Sequence, residues 1–419
     1  MPANSKPPII ADIISQHAEE ASFLWLLRDS AVRAPHYSLK DLAELDERVE
    51  AHVDGLRIAG EAGWEICKEQ LDWEEPGEVF VAALLAFEIG KEAYIDEVVE
   101  SGSKSLELAR GAISALGWIS SEKAQPHAQA LYASGETIQQ RIGIAAAAVH
   151  RQNRRKMLEE AVSADDAYVR ARALRAVGEL GRRDLLSICK SQQGNENNEC
   201  RFWAAWSAAR LGDSSGLDVL KEIARLKISL SENAADMVAR CAGSSEALAW
   251  QHELAGSEKH LRSALKVAGA IGDPESIPWI IEMMKDVEMA RVAGEAFTMI
   301  TGVDITDENL EGEWPEGFEA GPTEAAEDEA VEMDPDEDLP WPEVELIRKW
   351  WQDHQNQFQK GVRFLMGKPI NAESLQHTLR EGFQRHRAAA ALELAILQPD
   401  QPLFEVRARG DRQQALLRG

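Results

Sequence analysis

Histidine and cysteine are the residues of this chain best suited to metal binding or nucleophilic chemistry, and their spacing supports neither. Ten histidines occur, with one His-Glu dipeptide, His252-Glu253. A multi-histidine iron site needs several such ligands at one point, so a single pair does not assemble it. His17, His36, His52, His127 and His150 fall on helical patterns or at their ends, none with a partner at metal-ligand spacing. Four cysteines, Cys67, Cys189, Cys200 and Cys241, form no CxxC pair. Cys67, Cys189 and Cys241 sit in apolar helical context, which suits burial better than reactivity. GxGxxG, GxxxxGK(S/T) and GxSxG are all missing from the sequence. The reading is therefore no catalytic residue, no metal, no cofactor and no enzyme.

Charge and aromatic residues point to binding instead. The 419 residues carry 45 basic and 72 acidic side chains, a formal charge of −27. Such a chain is a poor neutraliser of phosphates, so nucleic acid is not expected as a partner. The one basic cluster, Arg151, Arg154, Arg155, Lys156, Arg170, Arg172 and Arg175, leaves a nucleic-acid-modifying enzyme as a minor alternative. No apolar run reaches the length of a membrane span. The first residues lack a basic stretch followed by an apolar one, so no signal peptide is expected. A cytoplasmic protein without membrane contact is the expectation.

Residues 307–345 hold 17 acidic residues, five prolines and no lysine or arginine. This composition reads as a largely disordered insertion between two repeat units. It also spaces Trp314, Phe318, Met333, Leu339 and Trp341 through the acid, a pattern that suits docking onto a basic partner. Two basic stretches, 141–183 and 348–419, are candidates for holding the insertion in place.

The elements that position these residues follow from a repeat. Glycines at 181, 212, 243, 272 and 302 are 31, 31, 29 and 30 residues apart. Weaker copies end near Gly90 and Gly117, and His150 takes the place of a glycine between Gly117 and Gly181. Each unit reads as two amphipathic helices. An Ala-rich first helix ends at a glycine in the left-handed C-cap conformation. A short polar turn follows, in which Asp273 or Ser214 caps the next helix and Pro274 fills its first position. The second helix places Ile277, Ile280, Ile281 and Met284 on one face. Neither helix buries its apolar face alone, so consecutive pairs must stack. Ala204, Ala205, Ala208 and Ala209 allow close helix approach. Arg170, Arg201 and Arg291 each stand eleven residues before a glycine, the position of a structural inter-repeat column pairing with upstream acids or helix-end carbonyls. Trp203 and Trp206 share a helix face and read as core. Ahead of the repeats, Ser38 and Asp41 approach a capping box at the start of a long helix.

This pattern resembles the HEAT-like repeats of phycobilin lyase subunits over roughly 79–305. That resemblance implies the fold, with a lyase as another minor alternative. The flanking segments HAEEASFLWLLRDSAVRAPHYSLKDLAELDERVEAHVDGLRIAGEAGW, LPWPEVELIRKWW, GVRFLMGKP and RAAAALELAILQPDQPLFEVRA, with AFTMITGVDI, resemble a proteobacterial HEAT-like repeat family often encoded near type VI secretion genes. The resemblance implies an adaptor or effector chaperone, with a secretion effector or secretion component as the protein partner. It carries no catalytic residues over.

The fold expected is a right-handed α-solenoid of HEAT-like helix pairs. A helical N-terminal cap spans 1–76, the repeats 77–306, the insertion 307–345 and a helical C-terminal cap 346–419. The function expected is protein binding by shape and charge, with an immunity-type inhibitor of a toxic enzyme as the alternative. Contact residues expected from the second helices are Asp218, Lys221, Glu222, Trp279, Glu282 and Lys285, joined by Trp314 and Trp341.

Overall fold

The computed structural model describes residues 10–152, 155–226, 228–318, 320–321 and 334–418. Arg154 and the whole of 322–333, Met333 included, lie outside the described residues, and with them that part of the expectation of disorder. The fold is all-α. Among the described residues the strands are two short ones forming a hairpin, Phe364–Leu365 with Lys368–Pro369. The chain groups into two compact units, 1–207 with 400–419, and 208–399. Within each unit helix pairs stack in sequence order, the packing of an α-solenoid.

The first unit opens with two 21-residue helices, Ala11–Ala31 and Leu39–Ala59, packed on each other. Ser38 starts the second with a complete capping box: its hydroxyl accepts from the Asp41 amide and the Asp41 carboxylate accepts from the Ser38 amide. Ile14, Ala21 and Leu24 of the first helix are buried, whereas Ile10, Ile13 and Leu27 are exposed. Pro76 starts Pro76–Ile89, which is buried along nearly its whole length. Leu106–Trp118, Thr137–Val149 and Ala167–Glu179 follow as Ala-rich first helices, each packed on the one before. Trp25 stacks on Phe80 with ring centroids 5.1 Å apart, and its Nε1 donates to Ser114 Oγ at 2.8 Å. Trp206 is buried and Trp203 half-buried, their centroids 5.5 Å apart.

In the second unit the first helices are Ser231–Cys241, Leu261–Ile271 and Ala290–Thr301, the last two packed directly together. Their second-helix partners include Leu217–Ala224, Ser244–Ala255 and Ile277–Met283. Ile277, Ile280, Ile281 and Met284 are all buried. Asp273 caps a single 3-10 turn, Pro274–Ser276, that leads into this last helix, and the equivalent cap before Leu217–Ala224 is Asp213 rather than Ser214.

Gly90, Gly181, Gly212, Gly272 and Gly302 adopt positive φ, as a helix end of this kind requires. Gly117 and Gly243 depart from the expected pattern. Gly117 lies inside Leu106–Trp118, and Gly243, at φ −60°, is the residue before Ser244–Ala255, because Ala242 has already left the preceding helix in an extended conformation.

The insertion lies between Ala290–Thr301 and Val344–His354, whose Ile347 packs into the same core as Ile277, Ile280 and Phe297. In the second unit the chain beyond it returns along helix ends. Phe364 N donates to Gly272 O at 2.8 Å, and Met366 N to Met299 O at 2.8 Å. Arg363 Nε donates to Ile271 O at 2.9 Å, and Arg363 shares the buried carboxylate of Glu393 with Arg240. In the first unit residues 400–418 do the same. Arg412 donates to the carbonyls of Gly117 and Ile119, and Leu403 N to Glu179 O. These contacts satisfy carbonyls that every helix C-terminus leaves open.

Candidate functional site

The described parts of the insertion make specific contacts. Glu311 bridges to Pro342, Gly312 N donates to Trp341 O at 2.8 Å, and Glu343 N donates to Leu310 O at 2.8 Å. Leu310 and Leu339 are buried. Asp336 and Asp334 explain why so acidic a segment settles. Asp334 takes Arg291 in a two-point ion pair, Nη1 at 2.7 Å and Nη2 at 3.1 Å. Asp336 accepts from Arg262 Nη1 at 2.7 Å, and its carbonyl accepts from Arg291 Nη1 at 2.9 Å. Two guanidiniums on adjacent first helices therefore clasp one acidic turn, D-P-D, with the geometry that suits planar guanidinium–carboxylate pairing.

Aromatic rings complete the clasp. The Arg291 guanidinium carbon lies 5.0 Å from the Trp314 ring centroid, 5.6 Å from Trp341 and 5.8 Å from Phe318. The three rings contact one another at centroid distances of 5.3 to 5.8 Å. Trp314 Nε1 donates to the Phe318 carbonyl at 2.8 Å, fixing that ring. Arg291 itself is 4% exposed. A cation enclosed by π faces and bonded to a carboxylate is held by both its charge and its planarity. Burial works to raise the Asp334 carboxyl, but its bonds from Arg291 and the Asp336 amide, with the charges of Arg291 and Arg262, hold it below its usual value. Burial likewise works to lower Arg262, and Asp336 more than offsets it.

The surface of this folded element is acidic and aromatic. Trp314 remains 53% exposed despite its ring contacts. Asp307, Glu308, Glu311, Glu313 and Glu316 are all exposed beside it in the chain. Such a face can steer and seat a basic partner, with Trp314 as the apolar anchor.

The other sequence candidates lie on different elements. Asp218, Lys221 and Glu222 are on Leu217–Ala224, where Lys221 pairs with Glu246 of the next second helix, Ser244–Ala255, at 2.6 Å. Trp279 and Glu282 are on Ile277–Met283, and Lys285 is just beyond it. Trp279 is half-buried against the core, while Glu282 pairs with Lys285 at 2.6 Å and Arg348 at 3.1 Å. Of the arginine column, Arg170 donates to the Ala164 and Asp165 carbonyls, and Arg201 is half-buried in the first turn of Asn198–Arg210. Arg291, read as an inter-repeat residue paired with acids just upstream, pairs with the insertion instead, because Asp334 reaches it with both oxygens. The basic stretches at 141–183 and 348–419 were candidates to hold the insertion; Arg262 and Arg291, outside both, do so. Arg262 was missed because it stands ten rather than eleven residues before its glycine, one step off the column.

Among the described residues no group of three or more His, Cys, Asp or Glu is placed to hold a metal ion, and no helix is long and apolar enough to cross a membrane. All four cysteines are free thiols. Burial pushes Cys67, Cys189 and Cys241 up to about 12.

No curated protein matches the chain. Residues 155–228 match the family model for HEAT repeats. The ordered stacking of helix pairs agrees with that match and supports a HEAT-like repeat architecture.

Proposed function

We propose that the protein is a non-enzymatic scaffold that binds another protein, with the folded acidic insertion as its principal contact surface. One observation carries the reading: an exposed tryptophan amid exposed carboxylates, in an insertion that the buried Arg291 and the half-buried Arg262 anchor through Asp334 and Asp336. A preformed surface loses less conformational freedom on binding than a disordered one would. HEAT repeats suggest protein partners, which agrees. The partner is a protein with a basic patch. Resemblance of the flanking segments to the family encoded near type VI secretion genes supports the finer reading, an adaptor or effector chaperone in the cytoplasm.

Affinity purification of the intact chain at low and moderate salt, with mass spectrometry of what is retained, tests the proposal. A specific partner should be captured at low salt, weaken as ionic strength rises, and be lost from a Glu311→Lys, Glu313→Lys, Glu316→Lys variant. Retention of the same partner by that variant and by Trp314→Ala would refute the assignment of the surface. Point variants are preferable to deleting 307–345, which would strip Arg262 and Arg291 of their carboxylates. If the captured partner is toxic when expressed alone and harmless when co-expressed, the scaffold is an immunity-type inhibitor instead.

A further inference from the structure

A pocket of about 250 Å³ in the first unit is lined by seven arginines and three carboxylates. Four of these arginines share three acids. Arg110 pairs with Glu107 and with Asp29, and Arg407 also pairs with Asp29, at 2.8 Å. Arg172 and Arg175 both pair with Glu179, at 2.9 and 2.7 Å. The other lining arginines are committed elsewhere: Arg28 to Asp46, Arg409 to Glu50, and Arg141 to the Tyr168 carbonyl and Glu199. Arg151 takes the remaining lining carboxylate, Glu405, at 3.2 Å. The pocket thus concentrates positive charge within a chain whose total is −27.

A second observation points to a ligand. Arg172 is 8% exposed, and its Nη1 is buried without a hydrogen-bond partner. A buried donor left unpaired is costly, and a charged one more so. Burial depresses the Arg172 guanidinium to about 10 even with Glu179 beside it. Burial works to raise Glu179, but Arg172, Arg175 and Arg151 overcome it and hold that carboxyl at about 2, so it stays a fully charged partner with two claimants. The lining also includes the apolar side chains of Ile113, Ala145 and Val149.

We propose that this pocket binds a small amphipathic anion: a phosphate or carboxylate group taken by Arg172 and its neighbours, on a compact apolar body packed against Ile113, Ala145 and Val149. Guanidinium groups suit both oxyanions, and the cavity is too small for a nucleic-acid duplex or a folded segment. The inference is independent of the protein-binding surface, which lies in the other unit.

Titration calorimetry on the intact chain with phenyl phosphate, benzoate, inorganic phosphate and phenol tests it. One site per chain is expected for phenyl phosphate or benzoate, the tighter of the two telling phosphate from carboxylate. That ligand should bind at least about tenfold tighter than inorganic phosphate, with phenol not binding. Arg172→Gln should weaken it about tenfold or more, the size of one lost charge-assisted bond. Should that variant not fold, Arg141→Gln and Ile113→Glu carry the test, each expected to weaken binding while leaving the circular dichroism unchanged. Lack of binding of both aromatic anions at millimolar concentration overturns the proposal. So does binding that folded Arg141→Gln and Ile113→Glu variants leave unaltered, or an oligonucleotide that binds more tightly than either probe.

Discussion

Replacing Arg291 by alanine should release the insertion without unfolding the repeats. The side chain makes a two-point ion pair with Asp334, a bond to the Asp336 carbonyl and contacts with three rings. A charge-assisted pair contributes roughly 1.5–3 kcal/mol, and cation–π contact at a partly desolvated site adds on the order of 1–2 kcal/mol. Asp334 would keep solvent access, so no full penalty for a buried unpaired charge arises. The loss is about 3–5 kcal/mol, which lowers the protection of local amides by roughly two to four orders of magnitude. Hydrogen exchange read by mass spectrometry is the assay, because it resolves the Gly312, Leu339 and Glu343 amides that close the insertion onto itself. Their exchange should accelerate while the core of Pro76–Ile89 stays protected. Unchanged protection at 310–343 in Arg291→Ala would show that the clasp does not hold the segment, and the preformed-surface argument would fail with it.

Three other outcomes follow from the same geometry. Asp334 is held below its usual value, so its contribution is fully present above the unfolded value near pH 3.9 and is lost as pH falls through its lower folded value; the same amides should open in acid before the core melts. Gly272→Ala should lower the melting temperature, by at least about 1–2 kcal/mol of stability from its φ of +74° alone, and further because a Cβ there would stand 2.2 Å from the Phe364 carbonyl oxygen; Gly243→Ala, at negative φ with open space around it, should be tolerated. Glu393→Gln leaves Arg363 facing a neutral group and Arg240 with Asp236 alone, and should cost about 3 kcal/mol or less in a denaturant titration, whereas an unaltered midpoint would show that the carboxylate does not hold the two guanidiniums.

Local chemistry made much of the architecture legible. Glycines at a thirty-residue rhythm, Ala-rich first helices and second helices with Ile277, Ile280 and Ile281 on one face are short-range signals, because capping and amphipathicity act over a few residues. Where the period wavered, at Gly117 and Gly243, the local rule also gave the wrong conformation, since the next helix start competed with the helix end. The clasp was only half visible. Arg291, Trp314, Phe318 and Trp341 stood out by type and spacing, yet composition argued for a mobile acidic loop. Composition counts repulsion among carboxylates but says nothing of which guanidiniums lie within reach.

That decision belongs to tertiary structure. Arg262 and Arg291 are 29 residues apart in sequence, and stacking of their helices puts both against Asp334 and Asp336. The return of the chain along helix ends, and the gathering of Arg110, Arg172, Arg175 and Arg407 around one pocket, arise in the same way. Each joins residues tens to hundreds of positions apart. Pairing at that range depends on which surfaces the folded stack leaves adjacent, and no periodicity along the chain encodes it.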